Sequence, residues 1–166
     1  KIGDTMSYNL TDEEVKMIAA MSYGENRGQG DDAMLHTLSS AYNRIGKNEW
    51  KKKTVPEILQ GGYYAVSDTS TNTGYADAMA GKFKSKDDEN EYKRHYIKAS
   101  AMNRGTLQPT STQFYFKQPE INNLDKKFKD KTDKSSGFDF SLVEEGDSFM
   151  TKVGGKPVKF RTFRYK

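Results

Sequence analysis

A capping box followed by an apolar helical repeat is the feature that most restricts this fold. In Thr11-Asp12-Glu13-Glu14 the Thr11 hydroxyl can accept from the Glu14 backbone while the Glu14 carboxylate reaches back. The acidic first turn also suits the helix dipole. Val15, Ile18 and Ala19 follow at helical spacing, with Met21 and Ser22 next, and Gly24 reads as the stop. A second helix is expected from about Asp31 to Arg44, with Asp31 or Asp32 as its cap. Met34, Leu38, Ala41, Tyr42 and Ile45 form its apolar stripe. Between the two patterns stands Tyr23-Gly24-Glu25-Asn26-Arg27-Gly28, so its one carboxylate, Glu25, falls at or just past a helix C-terminus. That end of the dipole, with apolar helix faces around it, disfavours the ionised form and raises the pKa. Glu25 is therefore a candidate proton donor, although a Glu beside an Arg at a helix end is also the pattern of a plain ion pair.

Further along, Thr54-Val55-Pro56-Glu57-Ile58-Leu59-Gln60 predicts a short helix capped by Thr54, with Pro56 in its first turn and Gly61-Gly62 breaking it. Tyr63 to Asp68 reads as a strand or a groove wall, and 69–74 as a loop. Tyr75 to Ala80 can make a helical turn, and Lys82 to Asn90 is charged and exposed. A third long helix is expected over Glu91–Asn103, where Tyr92, Tyr96, Ala99 and Met102 recur and Gly105 ends the run. Thr112 to Lys117, β-branched and aromatic between Pro109 and Pro119, predicts a strand. Residues 120–137 are lysine-rich loop. Phe149, Thr151 and Val153 alternate with polar residues, as do Val158, Phe160, Thr162 and Arg164. Gly154-Gly155 between them marks a hairpin that closes a small antiparallel sheet. This tail carries a basic ribbon of Lys152, Lys156, Lys159, Arg161, Arg164 and Lys166, read either as a binding surface or as an edge protected by charge.

At 166 residues the chain reads as one domain, 1–166, with 1–10 as a lead-in. It has no cysteine, which excludes disulfides and thiolate metal sites. His36 and His95 lack H-x-x-x-H spacing, so no metal and no cofactor is expected, and both read as surface or hydrogen-bonded histidines. A net charge of +4 suits an anionic partner such as nucleic acid or an acidic wall polymer. Phe114-Tyr115-Phe116 lacks the dense basic stripe of a single-strand platform, so nucleic acid is not the expected partner. No apolar run approaches a membrane span. The chain opens at Lys1 without a signal-like leader, the expectation for a processed piece or part of a larger protein. No G-x-S-x-G and no G-x-x-x-x-G-K occurs.

Glycoside cleavage needs a proton on the leaving oxygen and stabilisation of an oxocarbenium-like centre. Glu25 can supply the first. Hydrolases usually bring a second carboxylate, but Asp31 and Asp32 are explained as caps, Asp68 is the weaker candidate, and no second acid stands out. The pattern fits a one-carboxylate reaction in which the sugar's own hydroxyl attacks and Glu25 acts first as acid, then as base.

The order of motifs then matters. Tyr23 to Gly28, Ala41-Tyr42-Asn43-Arg44, Thr54 to Gln60, Phe114-Tyr115-Phe116 and Phe160 to Tyr165 resemble the bacterial spore cortex-lytic enzyme and cell wall hydrolase family. The likeness covers most of the chain in outline and is strongest from Glu25 to Gln60. It implies a lysozyme-like α+β domain, a helical core with a small antiparallel sheet. It also implies cleavage of peptidoglycan glycan strands between N-acetylmuramic acid and N-acetylglucosamine, often as a lytic transglycosylase leaving a 1,6-anhydro end. Glu25 matches the family's catalytic glutamate, and Arg27, Arg44, Gln60, Tyr64, Ser67 and Tyr115 are the candidate substrate-binding residues. The chain departs from the family pattern at Asn26, at Tyr63-Tyr64 and at Thr162, and carries insertions at 75–90 and 120–147. Its lysine- and asparagine-rich composition resembles phage versions, lysins or virion-associated domains. The expected protein acts on the cell wall, phage-borne or secreted, as a monomer or a domain of a larger wall-degrading protein. A non-enzymatic wall-binding or virion module and a two-acid muramidase are the alternatives.

Overall fold

The computed structural model describes residues 7–51, 53–117 and 142–166. Six α-helices precede a small antiparallel sheet among these residues: α1 Asp12–Asn26, α2 Asp31–Arg44, α3 Val55–Gly62, α4 Tyr64–Ser67, α5 Gly74–Met79 and α6 Lys86–Arg104, then β1 Phe114–Lys117, β2 Val143–Glu145, β3 Phe149–Val153 and β4 Lys156–Tyr165. The class is α+β.

Helix α1 is the axis of the helical part. Its Thr11 capping box is present with both bonds, and everything from Ile18 to Gly24 is buried. A helix enclosed on several sides loses its one-sided stripe, and Ala19, Ala20, Ser22 and Gly24 are small enough for neighbours to approach closely. Val15, Ile18 and Met21 share one core with Met34, Leu38, Tyr42, Ile58, Leu59 and Met102. Gly24 does not stop the helix, which runs on to Asn26. A Cβ at Gly24 would stand 2.9 Å from Ala65 Cβ and 3.1 Å from Tyr75 N, so this glycine answers a tertiary contact and not a local turn.

Several other boundaries also moved. Helix α2 is capped by Gly30 without a side-chain bond. Asp31 and Asp32 sit inside its first turn, where the dipole favours them and Asp31 pairs with Arg94. Helix α3 has the expected Thr54 capping box but includes Gly61 and Gly62. Tyr63 to Asp68 is no strand: Tyr63 caps α3 by donating its N–H to Leu59 O, α4 starts at once, and Asp68 caps its end. Helix α6 begins at Lys86, five residues earlier than the apolar spacing implied, because Ser85 caps it and Asp87, Asp88 and Glu89 suit its first turn. The lead-in is anchored: Tyr8 N donates to Asn103 O at 3.1 Å and the Tyr8 ring meets Tyr42.

Strand β4 is the centre of the sheet. β1 lies along one edge, with Tyr115 opposite Thr162, and β2 and β3 lie in tandem along the other. The β3–β4 hairpin turns at Gly154 and Gly155, both at positive φ as the turn requires. Strand β2, within the expected 120–147 insertion, was not foreseen. It neutralises part of the basic ribbon, since Glu145 accepts two bonds from Arg161, at 2.6 and 2.7 Å, and Glu144 accepts one from Arg164. The expected loop at 120–137 lies outside the described residues. His36 joins the two layers, its ring stacked on Phe149 at 4.6 Å while Phe149 stacks on Phe160 at 5.0 Å. Among the described residues no helix is long and apolar enough to cross a membrane.

Candidate active site

Glu25 occupies the last turn of α1, half-buried, with Oε1 accepting the Ala65 N–H at 3.0 Å. Because α4 starts immediately after the Tyr63 cap, its Ala65 N–H is free of an intrahelical partner and meets that carboxyl. Burial raises the Glu25 pKa above the ordinary glutamate value. The Ala65 N–H bond and the Lys117 charge at the end of β1 pull the other way, and burial outweighs both. Two causes were expected, the helix terminus and the apolar helix faces around it. The larger cause is desolvation by the elements packed around α1.

Two phenols share this environment. Burial raises the Tyr115 pKa first, and the Glu25 charge adds to the rise. Tyr63 is raised chiefly by burial too, with Arg44 opposing and Glu25 adding. Both therefore stay protonated as donors at neutral pH. Their hydroxyls rest on a polar strip of α2. The Tyr115 hydroxyl meets Thr37 Oγ1 at 3.1 Å, and Asn26 Nδ2 donates to that same Thr37 oxygen. Ser40 Oγ donates to Thr37 O at 2.7 Å, which leaves it to accept from the Tyr63 hydroxyl at 2.6 Å. Asn26, Thr37, Ser40, Tyr63 and Lys117 were missed by sequence reasoning as site residues. The available signal was the Thr37-Leu38-Ser39-Ser40 run, polar groups on a helix that otherwise reads as buried.

The remaining candidates are dispersed. Arg44 is buried beneath the site: Nε donates to Gln113 O at 2.7 Å, and its guanidinium lies 4.4 Å from the Trp50 ring and 4.8 Å from the Tyr63 ring. It lies against Tyr63, and its Nη1 is closed in by Gly62, where a Cβ would clash with it. Arg27 is exposed and leans over the Tyr23 ring at 5.2 Å, away from Glu25. Gln60 lines an open groove of about 550 Å³ with Met17, Pro56, Val66 and Tyr75. Tyr64 is 84 % exposed. Ser67 is exposed and donates to Tyr63 O at 3.2 Å. Of the sequence candidates, Glu25 and Tyr115 are brought together.

No other carboxylate among the described residues contributes to the Glu25 shift. Asp31 is paired with Arg94. Asp68 accepts from Ser70 and Thr71 side chains and is held below its usual range by those bonds. No group of three His, Asp or Glu residues able to hold a metal ion occurs among the described residues. The arrangement can deliver a proton from one shielded carboxyl. No family model, no curated protein and no solved structure matches this chain.

Proposed function

We propose that this protein cleaves peptidoglycan glycan strands between N-acetylmuramic acid and N-acetylglucosamine, as a lytic transglycosylase on a lysozyme-like α+β fold. One observation carries the reading: a half-buried carboxyl with a raised pKa, at the end of an enclosed helix, beside two protonated phenols and without a second acid acting on it. In the proposed reaction Glu25 gives its proton to the bridging oxygen as the bond to the anomeric carbon breaks, and the leaving sugar departs as an alcohol. The 6-hydroxyl of the muramic acid then attacks the oxocarbenium-like carbon and returns a proton to Glu25, leaving a 1,6-anhydro end. No water is consumed.

Tyr115 and Lys117 flank the reacting bond, and the exposed Tyr64 ring offers a face for a sugar. Gln60 and Ser67 serve units further along the strand. Arg44 acts through Tyr63, as a positioning residue. The motif order resembles that of the spore cortex-lytic and cell wall hydrolases and supports a protein working on the wall, as a phage lysin, a virion-associated domain or a secreted enzyme.

Digestion of purified sacculi by wild type and Glu25→Gln, read by mass spectrometry, tests this. The reading expects soluble muropeptides from wild type, with ends one water lighter than reducing ends, and none from the variant. Reducing ends would move the assignment to a hydrolytic muramidase. Binding without any soluble product would move it to a wall-binding module.

A further inference from the structure

On the other side of α1 lies a second concavity that the proposed reaction does not use. It has a volume of about 150 Å³, room for a group the size of roughly five waters at about 30 Å³ each. Its walls are Tyr23, Phe83, Asp77, Asp88 and the three cations Arg27, Lys82 and Lys84. The rings are fixed: Tyr23 meets Phe83 edge-on at 6.0 Å, and Phe83 packs on Tyr92 at 5.6 Å. Arg27 is confined as well, since a Cβ on Gly74 would stand 2.8 Å from its Nη1. Gly81, at φ +69°, turns the chain after α5, and Lys82 N donates to Asp77 O at 2.8 Å, bringing Lys82 and Lys84 to the rim.

The charge arrangement points to a ligand. Asp77 and Asp88 are half-buried, while Arg27, Lys82 and Lys84 are exposed. None of these five groups has an ion-pair partner within 4.0 Å among the described residues, although acids and cations line one small space. A simple anion would leave the two carboxylates facing it. A simple cation would leave three positive groups at the entrance.

We propose that this pocket binds a compact zwitterion, an ammonium and a carboxylate on one carbon, as at the free end of a diaminopimelate side chain in a wall stem peptide. The ammonium sits against Asp77 and Asp88, the carboxylate against Lys82, Lys84 and Arg27, and the intervening carbons against Tyr23 and Phe83. The inference rests on the proposed function for its choice of substrate, and deepens it: the protein reads the peptide as well as the glycan. Tyr23 stands two residues before Glu25 in α1, so it projects about 200° away from it, and Arg27, just past the helix end, lies over the Tyr23 ring. A helix with its side chains is about 10–12 Å across. Three to four extended residues span about 10–14 Å. A stem peptide leaving a muramic acid beside Glu25 can therefore pass around the end of α1 and reach the pocket.

The test is NMR titration of the Glu25→Gln protein with the free tripeptide L-Ala-γ-D-Glu-meso-diaminopimelate, the same peptide acetylated on its side-chain amine, and inorganic phosphate. The expected result is binding of the tripeptide with shifts at Gly74, Lys82 and Phe83. Acetylation should weaken it at least tenfold, as should the variant Lys82→Ala/Lys84→Ala, whose substituted side chains are exposed. Asp77→Asn provides a second variant and should also weaken the tripeptide at least tenfold, since it removes a carboxylate from the ammonium side of the pocket. Absence of binding at 10 mM (roughly the scale of a −3 kcal/mol interaction), indifference to acetylation, or phosphate binding as well as the tripeptide would each overturn the proposal. The titration needs no cleavage. Loss of this binding therefore leaves the role of Glu25 standing, and failure of the Glu25 assignment leaves this binding measurable.

Discussion

Replacing Gly24 by alanine sets two effects of opposite sign against each other. Inside a helix the change ordinarily stabilises by about 1 kcal/mol, because glycine loses more backbone freedom than alanine on folding. Here the new methyl would stand 2.9 Å from Ala65 Cβ and 3.1 Å from Tyr75 N. Neither atom can swing aside: one is fixed to its backbone and the other is backbone. Helices α4 and α5 must move off α1, at about 1–3 kcal/mol for overpacking of this kind. The net expectation is a loss of about 1 kcal/mol, a fall in Tm of about 2–4 °C for a domain of this length. The same displacement draws Ala65 N away from Glu25, so the proposed muropeptide release should fall by more than the stability loss explains. Gly61→Ala is the control. It lies in α3, and its nearest neighbour is the flexible Lys53 Nζ at 3.9 Å, so alanine should raise Tm there. The assay is paired thermal melts with release from sacculi at 25 °C, where both variants are folded. A Gly24→Ala protein as stable and as active as Gly61→Ala would refute the close-approach argument.

His95 is fully buried between Ser22 Oγ at 2.7 Å and Glu91 Oε1 at 3.3 Å, and burial pushes its pKa down to about 4. The folded value lies below the unfolded value of about 6.5, so the unfolded chain takes the proton first and stability falls as pH drops through that window. Urea denaturation should show His95 costing about 2 kcal/mol between pH 7 and pH 5, a dependence that His95→Gln should lack. An equal slope in both proteins would contradict it. Arg44→Ala should cost about 3 kcal/mol by removing a buried guanidinium from between two rings and from Gln113 O, and Arg44→Lys should recover little of that. Denaturant midpoints decide this. At neutral pH Glu25→Gln should melt no lower than wild type. The Gln carbonyl can still accept from Ala65, and the cost of burying a charge is gone.

Much of the frame was legible because its determinants are local. The Thr11 and Thr54 boxes, the Gly154-Gly155 turn and the apolar repeat of α2 each depend on residues a few positions apart. The readings that failed depended on distant partners. Gly24 resembles a stop until Ala65 and Tyr75 are placed against it. Tyr63 to Ser67, aromatic and β-branched, resembles a strand, yet Tyr63 is needed as a cap and its hydroxyl is held by Ser40 from another helix. Strand β2 offers only Val143, Glu144 and Glu145, and its pairing depends on Arg161 and Arg164 some twenty residues later. At the site, Glu25 was visible as a lone carboxylate at a helix end. Its surroundings were not, because Tyr63 and Tyr115 come from distant segments and are held near it by Ser40 and Thr37 of α2. Arg44 looked like a binding residue, since a sequence does not distinguish an exposed guanidinium from one enclosed by Trp50 and Tyr63.

The account turns on whether the Glu25 carboxyl holds its proton beyond the range of an ordinary glutamate. A carbon-13 NMR titration of that side chain, in the free protein with Glu25→Gln used to assign the signal, measures it directly. A midpoint above the usual 4.5 is expected, with the alkaline limb of the cleavage profile, where the donor loses its proton, following the same titration. A midpoint at or below 4.5, with activity indifferent to it, would contradict the account.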